Sequence, residues 1–263
     1  MFMLLFYLLI FVLGMIIGSF LNVVIFRLKT NETIFRKRSH CNFCQKKLNW
    51  YELIPLMSFI IQLGRCRGCK KKISWQYPLV ELFTGVIFLL IFIFFGQVWR
   101  FPYTVYVCFL FLIFCFLIII FVYDLKHYLV AEKIIYPAII LAFLFNIFIW
   151  IFTNNFQIFV SSIIAGLLAG GFFLILVLIS KEKWMGKGDI LIGVLMGLIL
   201  GMPMTIVGLI LAFLIGAIVS LVLMALKKKK MKSEIPFGPF LVLGTAISIF
   251  WGNVLLNWYL NLL

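Results

Sequence analysis

The chain has 263 residues, of which 65% are hydrophobic and only 12% are charged. An average soluble domain carries about 25% charged residues, so this chain has too few of them to cover a soluble globule. The composition therefore excludes a soluble enzyme and a disordered chain. It predicts an all-α polytopic membrane protein, because the apolar segments have about the 20 residues that a spanning helix requires, twice the length of a barrel strand.

Eight predicted spans are separated by polar breaks or by breaks that contain glycine and proline. In chain order they are 2–26, 78–95, 103–123, 134–152, 156–180, two spans within 190–226, and 235–256. As one helix, the 37 residues of 190–226 would be about 55 Å long, nearly twice the thickness of the hydrocarbon core. We therefore expect Gly201-Met202-Pro203-Met204 to divide this segment into a short sixth span and a seventh span.

Basic residues are confined to alternate connections between these spans. Threading eight spans places 22 of the 23 Lys and Arg residues on one side of the membrane and only Arg100 on the other. Under the positive-inside rule, the basic side is the cytoplasm and both termini lie outside. Membrane topology and contact with anionic headgroups thus account for the net charge of +15. We therefore expect the lipid bilayer as a partner and no nucleic acid.

Two C-x-x-C pairs lie in the first basic connection, 27–74. They are Cys41-Asn42-Phe43-Cys44 and Cys66-Arg67-Gly68-Cys69, with 21 residues between them. Two such pairs can present four thiolates to a tetrahedral Zn²⁺, and the absence of an evident open ligand position predicts a structural site. A redox pair, inert cysteines and an iron centre are the alternatives.

The chain contains only two aspartates, Asp124 and Asp189, and each lies at the cytoplasmic end of a predicted span. A carboxylate at that depth is costly and usually faces the interior of a helix bundle or water. Two carboxylates at one depth can share a proton, so that one acts as acid and the other as base, as in aspartyl proteases. Gly186 and Gly188, just before Asp189, permit positive φ or a close backbone approach. Two interfacial residues or helix caps are the alternative.

Ordered motifs extend over nearly the whole chain. They are Gly18-Ser19-Phe20-Leu21-Asn22, the two cysteine pairs with Glu52-Leu53-Ile54-Pro55 between them, Tyr77-Pro78-Leu79-Val80-Glu81, Gly186-Lys187-Gly188-Asp189 and Pro236-Phe237-Gly238-Pro239. Together they resemble the motifs of the type IV prepilin peptidases, which are leader peptidases of the G-x-G-D intramembrane aspartyl protease group.

This resemblance implies a bifunctional enzyme. It implies that Asp124 and Asp189 are catalytic and remove a short basic leader from type IV prepilins or pseudopilins, with no metal in the hydrolysis. It also implies N-methylation of the new terminal residue, with S-adenosylmethionine as the methyl donor. Glu52 and Glu81 lie in family motifs and are candidates for contact with the leader or the new amine, and pairing with the loop's own cations is the alternative.

We expect three parts in the chain, embedded in the cytoplasmic (plasma) membrane. They are residues 1–26 as the first spanning helix, 27–77 as a cytoplasmic zinc loop, and 78–263 as a seven-helix peptidase domain. Two other functions are considered: a proton-coupled transporter that uses the two aspartates, and a zinc-clipped assembly scaffold with an inactive site. The position of both acids at one face disfavours a transporter, and the intact aspartate pair argues against a scaffold.

Overall fold

The computed structural model describes residues 2–30, 39–41, 43–96, 100–183, 185–227 and 235–262. Within these residues the regular structure is α-helical, apart from a 3₁₀-helix at Trp50–Leu53 and two isolated β-bridges. The α-helices are α1 (Phe2–Thr30), α2 (Met57–Ile61), α3 (Gln76–Phe95), α4 (Tyr103–His127), α5 (Glu132–Thr153), α6 (Phe156–Ser180), α7 (Lys187–Leu200), α8 (Met204–Ala225) and α9 (Gly238–Leu260). The predicted all-α fold is confirmed.

Seven of the described helices are long and apolar enough to cross a membrane. They are α1, α3, α4, α5, α6, α8 and α9, and they coincide with seven of the eight predicted spans. Many of their large apolar side chains are exposed on the helix surfaces, as expected of residues that face lipid. The chain is therefore a multi-pass membrane protein.

The predicted sixth span is the short helix α7. Its 14 residues extend for about 21 Å, which is less than the thickness of the hydrocarbon core. It ends at the expected break, where Gly201 has a φ of +64° and α8 begins at Met204. The end of α7 nevertheless reaches the second turn of α6, because the Met202 N–H donates a hydrogen bond of 2.9 Å to Ser161 Oγ.

The chain forms two compact units, residues 1–119 and 120–263, and the boundary falls within α4. In the first unit α1 packs along α3, which the three-part division had grouped with the later helices. Glycines permit this contact: a Cβ atom on Gly14 or Gly18 would lie 2.8 Å from the Cα atom of Gly85 or Glu81, respectively. The two helix backbones therefore approach closely, as is common where small residues line membrane helix interfaces.

In the second unit α7 packs against α5, α6 and α9. Its contact with α6 is also lined by glycine, since a Cβ atom on Gly197 would collide with the backbone of Gly166. Asn146 of α5 donates a side-chain hydrogen bond of 2.8 Å to the Leu198 carbonyl at the other end of α7. These contacts immobilise α7 along its length, and so they fix the position of its first turn, which contains Asp189.

Candidate functional site

Both aspartates belong to the second unit, and the fold brings them together. Asp124 lies in the last turn of α4 and Asp189 in the first turn of α7. Their side chains are 5% and 7% exposed, respectively. The two carboxylates are close enough for the charge on Asp124 to act on Asp189. Within the described residues the ion pairs involve other acids, so neither aspartate is neutralised by a cation there.

The G-x-G-D turn orients the Asp189 side chain. Gly186 is the N-cap of α7, and its backbone N–H donates a hydrogen bond of 3.2 Å to Asp189 Oδ2. In return, the Asp189 N–H donates to the Gly186 carbonyl over 3.1 Å. The helix dipole also favours a carboxylate in a first turn. Gly186 has a φ of −85°, so it does not adopt the positive φ that a glycine permits at this position.

The close approach that was predicted for these glycines is present at Gly188. A Cβ atom on Gly188 would lie 2.7 Å from Val130 Cβ and would collide with one of its methyl groups. Val130 lies in the connection between α4 and α5. Gly188 therefore lets the first turn of α7 pack directly on the segment that follows Asp124.

The start of α9 forms the third side of the site. The backbone N–H of Gly238 donates a hydrogen bond to the Asp124 carboxylate. A Cβ atom at this position would collide with that carboxylate and would lie 2.8 Å from Ile192 Cδ1. The neighbouring Phe237 ring packs on Phe213, with 4.8 Å between ring centroids. This role of Gly238 is not predictable from its motif, because nothing in the local pattern shows which side chain the glycine meets.

The four cysteines of the two C-x-x-C pairs form one cluster in the first unit. Their sulfur atoms all lie within 4.8 Å of one another, with 3.9 Å between Cys41 and Cys69 and 4.0 Å between Cys44 and Cys66. A tetrahedral metal with bonds of about 2.3 Å to sulfur requires sulfur–sulfur distances of about 3.8 Å. The donor set therefore fits a tetrahedral metal ion.

The two cysteine pairs occupy equivalent turns. The Cys41 N–H donates to the Lys46 carbonyl over 2.9 Å, and the Cys66 N–H donates to the Lys71 carbonyl over 3.0 Å. Each turn is closed by an isolated antiparallel bridge, His40 to Lys47 in the first and Arg65 to Lys72 in the second. The same local turn therefore brings together the two cysteines of each pair, and this is why the short spacing within each pair predicts their proximity.

Two thiols of the cluster, those of Cys66 and Cys69, have pKa values that are shifted in opposite directions. Backbone N–H groups of Cys69 and Gly68 stabilise the Cys66 thiolate and lower its pKa to about 7. At Cys69 the Lys71 N–H also favours the thiolate, but desolvation and the neighbouring cysteines outweigh it and raise the pKa to about 11. Four thiolates cannot share this space without a cation, which is the condition that a bound metal satisfies.

Glu52 and Glu81 also belong to the first unit, where both are buried. Glu52 forms an ion pair of 3.6 Å with Lys46 and accepts a hydrogen bond of 2.9 Å from the Asn49 N–H. Glu81 accepts a hydrogen bond of 2.9 Å from the Leu56 N–H. Pairing with a cation of the loop, the alternative for these residues, is therefore observed for Glu52, whereas Glu81 attaches the loop to α3.

Both glutamates line a cavity of about 650 Å³ between α1, the start of α3 and the cysteine loop. This cavity is not predictable from the sequence pattern. Other polar residues that line it are Ser19, Asn22, Arg27 and His40. Asn22 and Arg27 are only 1% and 4% exposed, respectively. Polar side chains near the end of an apolar span were the available signal, but the sequence does not show what they face.

Comparisons with known proteins also divide the chain into two parts, with a boundary between residues 95 and 110. The family model described as the bacterial peptidase A24 N-terminal domain matches residues 12–95, and that of the type IV leader peptidase family matches residues 110–221.

Curated relatives match over most of the chain. A protein of Legionella pneumophila named prepilin leader peptidase/N-methyltransferase is 28% identical, over 97% of this chain and 94% of the relative. A Bacillus subtilis protein of the same name is 29% identical, over 96% of this chain and 97% of the relative. No solved structure matches the chain significantly. The family matches and the full-length relatives lead to one conclusion: the chain belongs to the type IV leader peptidase family.

Proposed function

We propose that this protein cleaves the leader from type IV prepilins or pseudopilins by aspartyl hydrolysis, with Asp124 and Asp189 as the catalytic pair. The observation that carries the proposal is the pair itself: two buried carboxylates on different helices, close to one another and held by backbone N–H groups. Two neighbouring carboxylates that share a proton can act as acid and base together. The names of the relatives support a prepilin as the substrate.

The reaction follows from the chemistry of such a pair. The ionised carboxylate takes a proton from a water molecule, whose oxygen bonds to the scissile carbonyl carbon, while the protonated carboxylate donates its proton to the carbonyl oxygen. The tetrahedral intermediate then collapses: the C–N bond breaks and the leaving nitrogen receives a proton. The products are the leader, with a new carboxyl terminus, and the mature pilin, with a free amine. No metal takes part in these steps.

We place the catalytic pair at the cytoplasmic face of the plasma membrane. This sidedness rests on the distribution of Lys and Arg, because the connections next to Asp124 and Asp189 belong to the basic set. A basic leader on a substrate whose helix lies in the membrane would present its scissile bond at the same level.

We further propose that the first unit carries the N-methyltransferase activity that is named for the relatives. Its cavity lies within the range of about 300–1,000 Å³ that is usual for small-molecule sites. When bound, S-adenosylmethionine supplies an electrophilic methyl group. The lining contains the carboxylates of Glu52 and Glu81 beside the cations Arg27, Lys71 and Lys72. A carboxylate in this mixed lining suits a cationic methyl donor or the amine of a processed pilin.

The metal in our proposal is a structural zinc ion that is held by Cys41, Cys44, Cys66 and Cys69. Four thiolates in tetrahedral geometry are the usual donor set of structural zinc. Because the described part of the loop has little regular structure apart from α2 and a 3₁₀-helix, metal binding would supply much of its folding free energy.

The test is expression of the full chain together with a prepilin, followed by intact-mass analysis of the pilin. We expect Asp124→Asn and Asp189→Asn each to abolish loss of the leader, because an amide cannot act as a base or share a proton. The matched control is Glu132→Gln, which alters an exposed acid at the start of α5 and should leave cleavage unchanged. Normal cleavage by either aspartate variant would refute the assignment, and an unchanged pilin mass with the parent chain would favour a transporter.

A further inference from the structure

The connection between α1 and α3 has an exposed apolar surface on α2 and the turn that follows it. We call Met57, Ile60, Ile61 and Leu63 the α2 surface. The last three of these side chains are 64%, 63% and 84% exposed, respectively. Four exposed large apolar residues within seven positions of a small loop point to an interaction site, because soluble surfaces rarely cluster such side chains.

A hydrogen bond fixes the depth of α2 relative to a membrane-spanning helix. Leu56, the N-cap of α2, donates its backbone N–H to Glu81 Oε2 over 2.9 Å. Glu81 is the sixth residue of α3, so it lies about 7.5 Å along the helix from Gln76. In addition, the Phe59 ring of α2 contacts the ring of Trp75, the N-cap of α3, with 5.0 Å between centroids. α2 therefore lies beside the first turns of a membrane span.

The residues around the α2 surface complement a lipid surface that carries negative charge. A run of exposed basic side chains follows it in sequence: Arg65, Arg67, Lys70, Lys71 and Lys72. Trp75 is 70% exposed at the start of α3, a position where tryptophan is typical of the membrane interface. Clustered Lys and Arg next to a span are attracted to anionic headgroups.

We propose that α2 is an interfacial anchor, which lies at the boundary between headgroups and acyl chains in the leaflet that faces the loop. The α2 surface would contact acyl chains, as the apolar faces of interfacial helices do, and the basic run would contact anionic headgroups. This lipid contact goes beyond the proposed enzymatic activities. It would hold the cysteine loop and its cavity against the membrane surface.

Photo-crosslinking in defined bilayers tests this anchor. The full chain carries the photoreactive p-benzoylphenylalanine in place of Ile60 or of Leu63, and it is reconstituted into nanodiscs of phosphatidylcholine and phosphatidylglycerol. The matched control carries it in place of Gln45, an exposed polar residue of the first cysteine turn. After illumination, mass spectrometry should find lipid adducts at positions 60 and 63 and none at 45. Phosphatidylglycerol should be enriched in the adducts relative to the bilayer.

Each other outcome overturns part or all of the proposal. Variants with the parent's metal content have an intact loop. In these variants the lack of lipid adducts at 60 and 63, or equal adducts at 45, would exclude an anchor. A crosslinked dimer as the main product would show that a second copy covers the surface. Adducts that form only with an added prepilin would show that it binds the substrate helix. If phosphatidylglycerol occurs in the adducts only in proportion to its share of the bilayer, the basic run does not contact anionic headgroups.

Discussion

The two units bury their acidic residues to a similar degree but surround them differently. Glu52 and Glu81 are each 7% exposed, as is Asp189, and Asp124 is 5% exposed. In the first unit a lysine or a backbone N–H from another segment holds each glutamate. In the second unit the aspartates have backbone N–H groups and each other as partners.

This difference shows that burial alone does not identify a reactive acid. A buried carboxylate that is paired with a cation, or that anchors another segment, stabilises the fold and shapes a cavity. Two buried carboxylates whose charges act on each other, and which no cation of the described residues pairs with, are expensive for the fold to maintain, and such sites are usually functional. The following predictions test whether the second unit contains the peptidase chemistry and whether the acids of the first unit are mainly structural.

The largest effect is expected from the aspartate pair. Asp124→Asn should lower the rate of leader cleavage by about 10⁴-fold, the upper end of the 10²–10⁴-fold that general acid–base catalysis typically contributes, because the pair supplies both the acid and the base. The Asp124→Asn, Asp189→Asn double variant should be no slower than either single variant, because members of one catalytic unit are not additive. Rates of leader cleavage would be measured with the purified chain in nanodiscs. If the fold-loss of rate in the double variant equals the product of the two single losses, the two residues do not act as a pair.

The next largest effect is expected at Gly238. An alanine there would displace the Asp124 carboxylate or the start of α9, and a misplacement of about 1 Å can cost about 10²-fold in rate. Gly238→Ala should therefore reduce cleavage by about 10²-fold and leave methylation of a pre-cleaved pilin unchanged.

Gly171→Ala is the matched control for Gly238→Ala, because a Cβ atom on Gly171 would meet no atom within 4 Å. Protein level and cleavage should be unchanged in this variant. If Gly238→Ala lowers cleavage and methylation equally, its effect is on folding of the whole chain and not on the position of Asp124.

The cysteine cluster should affect mainly the other activity. Cys41→Ser removes one of four ligands, which weakens metal binding and destabilises the loop around the cavity. We expect methylation to fall by about tenfold or more, because even changes to the groups that only orient metal ligands cost about 10–100-fold in metal affinity or activity, whereas cleavage should fall much less. Both activities and bound zinc would be measured on the same samples. Parallel loss of both activities would show that the loop also presents the leader to the aspartates.

The sequence predicted those parts of the molecule that depend on local pattern. Apolar length and polar breaks located the spans, and the repeated C-x-x-C spacing located the cysteine cluster. The same reasoning missed α2, because an apolar run that covers a five-residue helix has neither the length nor the period of a span.

Features that depend on contacts between distant segments were not predictable in this way. The collision that excludes a side chain at Gly238 involves Asp124, more than a hundred residues earlier in the chain. Likewise, the sequence shows that α7 ends before Gly201. It does not show the contacts of α7 with α6, which include Gly166 beside Gly197 and the hydrogen bond from the Met202 N–H to Ser161. Only the fold shows which residues meet, and that information decides the roles of Gly238, Glu52 and Glu81.

The smallest effect is expected from the ion pair of Glu52. Lys46 keeps 41% of its side chain exposed, whereas the Glu52 side chain is 1% exposed, so solvent screens the charge of the lysine and removal of Lys46 should cost at most about 1 kcal/mol. Glu52→Ala should cost more, because it also removes the hydrogen bond from the Asn49 N–H to the carboxylate, and a hydrogen bond to a charged group contributes about 1.5–3 kcal/mol. The effects of both substitutions on the stability of the loop would be measured by its resistance to proteolysis in nanodiscs, with bound zinc as a second readout. If Lys46→Ala and Glu52→Ala reduce methylation equally and strongly while the loop stays intact, the pair acts directly on the methyl-transfer substrates, and its role is not mainly structural.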